Sequence, residues 1–421
     1  MKLLDWAGQL CRASASPEIA DLHVRDTIAA FVCALATREG RALARLYDER
    51  ANRIDLAAIV TGIARLSESD DIHLASCVTP GAAVIPVALA FAESNSRDEF
   101  NRAVSAGYSA GLQIGSVVGG AKSLAHGVWP TLLAAPLMAA VTTSCLAGHD
   151  APTLAHAIAL SFSGASGRLG RPAGAGRWFT FAEAVAKGMR ASIAAGRGVQ
   201  GDLALLVRPW LTAQAGHDGV DMNAFESRVP ISDAGFKPFP IARQGANAVA
   251  AFQRMLADGF DPKQIESIEV FVPAMNVALI SRPLVARDRL SLLCNMGFQL
   301  ACAAFAPDML YDPERANGPA DQLMEFARRV SVVAATDLDA YLPGRWPARV
   351  VVNCGQQKFE ETVIAAPFDH DGPDLPQLLS NKWRRMLAPE DARELIEGQS
   401  PPAQLWQRLV ARVRMAATSE G

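Results

Sequence analysis

A chain of 421 residues, half of them hydrophobic, is long enough for two or three domains and a sizeable buried core. Its formal charge of −3, spread without any basic block, argues against a nucleic-acid partner. The seven cysteines are scattered without metal-ligand or CxxC spacing, so they read as buried, reduced thiols of a cytoplasmic protein that holds no metal.

The first sixteen residues, "MKLLDWAGQLCRASAS", carry Asp5 and Trp6 where a signal peptide needs an unbroken apolar run. From Asp26 to about Gly201 the pattern is helical and rich in alanine. "DTIAAFVCALA" repeats apolar residues at helical spacing behind Asp26, which is expected to cap it. "AAVIPVALAFAES", "FNRAVSAGYSAGLQIG", "APTLAHAIALSFSGAS" and "TFAEAVAKGMRASIAAG" keep the same habit, and their small residues predict closely packed helices in one all-α bundle. The segment Trp129 to Gly148 is long enough to cross a membrane, but Pro130, Pro136 and a Thr-Thr-Ser cluster argue for a helix buried in protein. No membrane partner is expected.

Near Pro230 the character changes. "IESIEVFV", "RRVSVVAA", "ARVVVNCG" and "FEETVIAAP" are β-branched runs bounded by Gly, Pro and Asn, with helical segments such as "ANAVAAFQRMLADG" between them. The last stretches, "LPQLLSNKWRRMLAPEDARELIEG" and "PAQLWQRLVARVRMA", return to helix. The expected fold is therefore mainly α. A large, discontinuous helical domain (1–233 and 386–421) carries a smaller α/β lid domain (234–385).

Four stretches hold residues suited to chemistry. In "SDDIHLASCVTPGAAVIP" a Pro80-Gly81 break precedes a helix, whose first N–H groups and dipole suit a carboxylate ligand. Asp71 and His73, just upstream, form a candidate acid–base pair; the alternative is a capping Asp70 or Asp71 and a solvated His73. In "GFKPFPIARQGANAVAAF", Lys237 lies between proline-stiffened turns where the two compositional regions join, with Arg243 as its neighbour. A lysine there holds a carboxylate or, desolvated, acts as a base; both residues as surface cations is the alternative. "GRLGRPAGAGRWFTFAEAVAKG" has the glycines of a phosphate loop but no closing Gly-Lys-Ser/Thr and no preceding strand, so Arg177, ahead of a helix starting near Phe179, is its candidate. "SLAHGVWPT" places His126 and Trp129 before the buried helix.

Together these stretches resemble the MmgE/PrpD family, which includes 2-methylcitrate dehydratase, cis-aconitate decarboxylase and iminodisuccinate epimerase. "VRDTIAAFVCAL" is similar to its N-terminal helix, and "DDIHLASCVTPGAAVIPVALAFAE" to its Asp-Asp-x-His … His-Pro-Gly segment. "GVWPT" resembles Gly-Phe/Trp-His-x-Thr, "KPFPIAR" the Lys-x-Tyr-Pro segment, "NMGFQLA" Ser-x-x-Tyr-x-x-Ala, and "LLSNKWRRML" the closing Lys-Phe helix. The resemblance implies a helical domain with an α/β lid, a site between them, a homodimer, and no metal or organic cofactor.

The chain also departs from the family pattern. Thr79 and Trp129 stand where the family has histidines, Arg177 where it has lysine, and Asn295 and Phe298 where it has serine and tyrosine. Lys237, Asp71 and His73 are kept. The family's reactions form or quench a carbanion beside a carboxylate, which needs cations and a movable proton. The resemblance thus implies a cofactor-independent lyase, of dehydratase or decarboxylase type, acting on a small polycarboxylate or related acid. Lys237, His73 and Asp71 are its expected catalytic residues, with Thr79, Arg177, Trp129, His126, Arg243 and Phe298 around the substrate. An epimerase of a small dicarboxylate and a non-catalytic binding protein are the alternatives.

Overall fold

The computed structural model describes residues 3–14, 16–93, 95–169, 175–285, 288–315, 321–369 and 374–418. It divides into two compact units, Met1–Gly235 with Glu390–Gly421, and Phe236–Pro389.

The first unit runs through α1 (Leu3–Leu10), α2 (Pro17–Leu35), α3 (Arg38–Ala44), α4 (Arg53–Leu66), α5 (Gly81–Phe91), α6 (Arg97–Val117), α7 (Ala121–Ala125), α8 (Pro130–Leu146), α9 (Ala151–Phe162), α10 (Gly176–Gly196) and α11 (Arg208–Ala215). Local chemistry starts several of these. Asn52 with Asp55, and Ser96 with Glu99, form reciprocal capping boxes on α4 and α6. Asp26 caps nothing: α2 already begins at Pro17, behind Ser16, so Asp26 is a buried mid-helix residue. Pro17 at the first helical position provides the start that the expected cap would have given.

The segment from Trp129 to Gly148 forms the buried α8, packed against α5, α6, α9 and α10. Its neighbours approach closely because they offer no side chain at the contact. A Cβ on Gly107 or Gly111 of α6 would meet Thr142 or Met138 of α8, and one on Gly188 of α10 would meet the Pro136 carbonyl. No helix among the described residues is long and apolar enough to cross a membrane.

The second unit contains α12 (Ala246–Ala257), β1 (Ser267–Val272), α13 (Ala274–Ile280), α14 (Arg289–Cys294), α15 (Met296–Phe305), α16 (Asp321–Ala327), β2 (Val330–Ala334), β3 (Ala348–Cys354), β4 (Gln357–Val363) and α17 (Leu375–Met386). All four β-branched runs are strands, in the order β2-β1-β3-β4. The β1–β2 pair is parallel, with α13 to α16 in the crossover; the other two pairs are antiparallel. Along β1 every second residue is buried, so this strand turns one face to the core. Ile268, Val270 and Val272 share their core with Phe252 of α12 and Phe298 and Leu300 of α15.

The chain then re-enters the first unit through α18 (Pro389–Glu397) and α19 (Pro402–Thr418). There α19 packs on α3, α4 and α5. Arg25 of α2 donates to the carbonyls of Leu395 and Ile396, at 2.5 and 2.7 Å, and so caps the open end of α18.

Candidate functional site

The stretch from Ser67 to Gly81 lies almost wholly inside the first unit: Ser67, Ser69, Asp70, Asp71, Ser76 and Thr79 are all buried. Ile72 and Gly235 exchange both backbone hydrogen bonds at 2.9 Å, and the His73 N–H donates to the Val78 carbonyl, closing a turn. Glu68 and Cys77 sit in the left-handed region, at φ 55° and 53°. For residues with a side chain this costs about 1–3 kcal/mol each, and persists only where the surroundings over-determine the backbone. Burial pushes the Cys77 thiol up to about 12, so it is an inert packing group.

Asp71 is the centre of this loop. One carboxylate oxygen accepts the Gly81 N–H at 2.8 Å, at the first residue of α5. The other accepts the Tyr108 hydroxyl at 2.6 Å and lies 2.7 Å from His23 Nδ1. The helix start expected to attract a ligand carboxylate therefore has the chain's own carboxylate on its first N–H. Glycine is required there: a Cβ on Gly81 would lie 2.7 Å from Thr27 Oγ1, 2.9 Å from Asp71 Oδ1 and 3.0 Å from the Tyr108 hydroxyl. Burial, then the Asp71 charge, raise the Tyr108 pKa well above that of a free phenol, so the hydroxyl stays a donor.

His73 is not among the Asp71 partners. Its Nδ1 lies 2.9 Å from the Ser76 hydroxyl and accepts the Ser76 N–H at 3.4 Å. Thr79 points its backbone N–H and hydroxyl at Thr131 Oγ1, at 3.1 and 3.3 Å, and Thr131 donates onward to the Cys77 carbonyl. Thr79 thus ties the loop to the first turn of α8.

Trp129 immediately precedes α8 and is 8 % exposed. The Arg177 guanidinium lies 4.7 Å from its ring centre and that of Arg65 lies 5.4 Å away. Both cations also face Trp178, at 5.4 and 5.3 Å, and Phe181 packs against Trp129 at 5.6 Å. Such contacts are worth about 2 kcal/mol when desolvated. Arg65 pairs with Asp70 at 3.1 Å and Glu68 at 3.2 Å. Burial works against its charge, but these two acids outweigh it and raise its pKa. Arg177 lies in the first turn of α10, which begins at Gly176. Residues 170–174 of the glycine-rich stretch lie outside the described residues.

The other candidates are placed differently. His126 is exposed at the end of α7, with its Nδ1 2.8 Å from the Lys122 carbonyl and its ring 5.1 Å from that of His217. In the second unit, Lys237 is 2 % exposed, two residues after the Gly235 that pairs with Ile72. Arg243 is held by Asp369 at 2.5 Å and Asn247 at 3.4 Å, and Phe298 is a fully buried core residue. Asn295, beside it, caps α15 through the Phe298 N–H at 2.8 Å.

His23, Tyr108, Arg65 and Trp178 were not singled out in the sequence. Arg65 offered a signal, a cation in the last turn of an apolar helix, five residues before Asp70. Tyr108 is flanked by glycines only one and three residues away, which marks a tight helix contact but gives no hint of Asp71. Among the described residues, no group of three or more His, Cys, Asp or Glu is arranged to hold a metal ion.

The sequence matches the MmgE/PrpD N-terminal domain over residues 2–224 and the MmgE/PrpD C-terminal domain over residues 239–399. No curated protein matches it.

Proposed function

The chain belongs to the MmgE/PrpD family, which includes dehydratases and other lyases, and from that membership we propose a cofactor-independent lyase of a small polycarboxylate or related acid. The observation that carries the reading is the loop from Ser67 to Gly81. Its two left-handed non-glycine residues and its triply bonded, buried Asp71 hold polar groups in one arrangement. Stabilising charge as it develops requires that kind of preorganisation.

In this reading the acid sets a carboxylate against Lys237, and that cation meets the charge that develops on the adjacent carbon. Elimination moves a proton from carbon to a base and expels hydroxide, which takes a second proton and leaves as water. Decarboxylation releases carbon dioxide and returns one proton to carbon. Thr79 and Trp129 supply no imidazole, which favours the route with fewer proton transfers. The same reading makes the protein a cytoplasmic homodimer.

The test is proton NMR of candidate acids with the purified protein in deuterated water. A lyase releases an unsaturated or decarboxylated product, whereas an epimerase exchanges one C–H for deuterium without loss of mass. 2-Methylcitrate is expected to survive unchanged; rapid dehydration of it overturns the interpretation of Thr79 and Trp129. A second reading, a binding protein without catalysis, is favoured by one observation, the packing of Trp129 against both Arg65 and Arg177. It predicts neither product nor exchange with any acid that binds.

The proton mover is expected to be His73. His73→Gln should abolish the near-neutral limb of the rate profile between about pH 5 and 9, where imidazole titrates, and His126→Gln should not. The reverse result transfers the role to His126.

A further inference from the structure

The segment that carries Lys237 is clamped from several sides within the second unit. The Phe236 N–H donates to the Phe368 carbonyl at 2.9 Å, and the Phe239 ring meets Tyr311 edge-on at 5.7 Å. The Pro240 carbonyl accepts from Arg315 Nη2 at 2.8 Å. Arg315 is the unusual member of this set. It is 1 % exposed, yet no carboxylate is among its hydrogen-bond partners. Its guanidinium donates instead to the carbonyls of Met309, Asp312 and Pro240 and to Gln299 Oε1 of α15. Its Nε, also buried, has no acceptor. Its backbone lies in the left-handed region at φ 54°, where a residue with a side chain is held only by its surroundings.

A buried cation bonded only to neutral dipoles is poorly compensated, and desolvation accordingly lowers its pKa to about 10. Packing alone does not require this, because methionine fills similar volume without burying a charge. What only arginine provides is a rigid planar fork that reaches several carbonyls at fixed angles. Through that fork the Lys237 segment is joined to the turn at 307–312 and to α15, the helix of Phe298.

We infer that Arg315 is the positioning residue for Lys237, fixing its segment through the Pro240 carbonyl. The inference rests on the proposed role of Lys237 in the substrate site. Its test does not need the substrate. The full-length chain and its Arg315→Met and Arg315→Lys variants are treated briefly with formaldehyde and a borohydride, and methylation of each lysine is read by mass spectrometry. Lys382 of α17, also 2 % exposed and in the same unit, is the internal reference.

Methylation of Lys237 relative to Lys382 should rise at least about tenfold in Arg315→Met, equivalent to about 1.4 kcal/mol of local opening. Arg315→Lys, which keeps the charge but loses the fork, should also raise it. A residue that merely supports the unit would expose both lysines in parallel. An unchanged ratio in both variants, or a parallel rise, overturns the inference. Should Arg315→Met fail to fold, the Lys variant decides. Normal turnover in a folded Lys237→Met protein sinks the substrate-site reading instead and leaves the methylation result standing.

Discussion

Lys237→Met is expected to fold as the parent chain does and to turn over its substrate at least about a hundredfold more slowly. Methionine keeps most of the volume of a side chain that is 2 % exposed, and removes the one feature at issue, the charge. Removing one group aimed at developing negative charge typically costs about 10²- to 10³-fold in rate. The loss should fall mainly on kcat if the cation acts in the transition state, and on KM if it only holds the substrate carboxylate. Lys237→Arg separates charge from placement. It restores a cation with a different shape and donor geometry, so partial recovery points to electrostatics and none points to a position set within tenths of an ångström. The measurement is steady-state turnover of whichever acid the deuterium experiment identifies, with circular dichroism to confirm folding. Near-parental kcat in folded Lys237→Met protein removes Lys237 from the chemistry.

Much of the fold was legible because it follows from short-range patterns. The four strands are β-branched runs between breakers, and all four join one sheet. The segment from Trp129 to Gly148 is apolar all round because α8 is surrounded by other helices, and the glycines of α6 and α10 face it where backbones come close. Asp26 was misjudged because a polar residue before an apolar run has the same local signature as a cap. It is in fact an interior residue of a helix that began at Pro17. The site was legible only in part. Asp71 and His73, two residues apart, invited pairing, but on a turned loop the carboxylate faces inward while the His73 ring folds back on Ser76. The side-chain partners of Asp71 lie 48 and 37 residues away, at His23 and Tyr108, and no local spacing announces them. Arg243 and Phe298 were drawn in by their place in the motifs. In the folded chain they are fixed by Asp369 and by the sheet core.

The arrangement around Asp71 makes its removal strongly damaging to the first unit. In Asp71→Ala the Gly81 N–H, the Tyr108 hydroxyl and His23 Nδ1 all lose their acceptor in a region where none of the three residues is exposed. Removing one partner from a buried, charged hydrogen-bond network costs about 3–5 kcal/mol, because the remaining groups stay desolvated and unbonded. For a unit of this size that should lower the melting temperature by roughly 10 °C. Asp71→Asn distinguishes the causes. Its amide oxygen can still accept from Gly81, but its NH₂ would face the Tyr108 hydroxyl and His23, so about half the loss should remain. The two left-handed residues, Glu68 and Cys77, give the change a reach beyond the carboxylate. Their strain is sustained only while the loop is pinned, so Asp71→Ala should also release the turn between His73 and Val78. Hydrogen exchange reads this directly: the His73 amide should lose protection in Asp71→Ala well before the amides of α8 do. If Asp71→Ala melts within about 2 °C of the parent and His73 stays protected, then Asp71 does not anchor the loop, and its place in this network must be explained by the reaction alone.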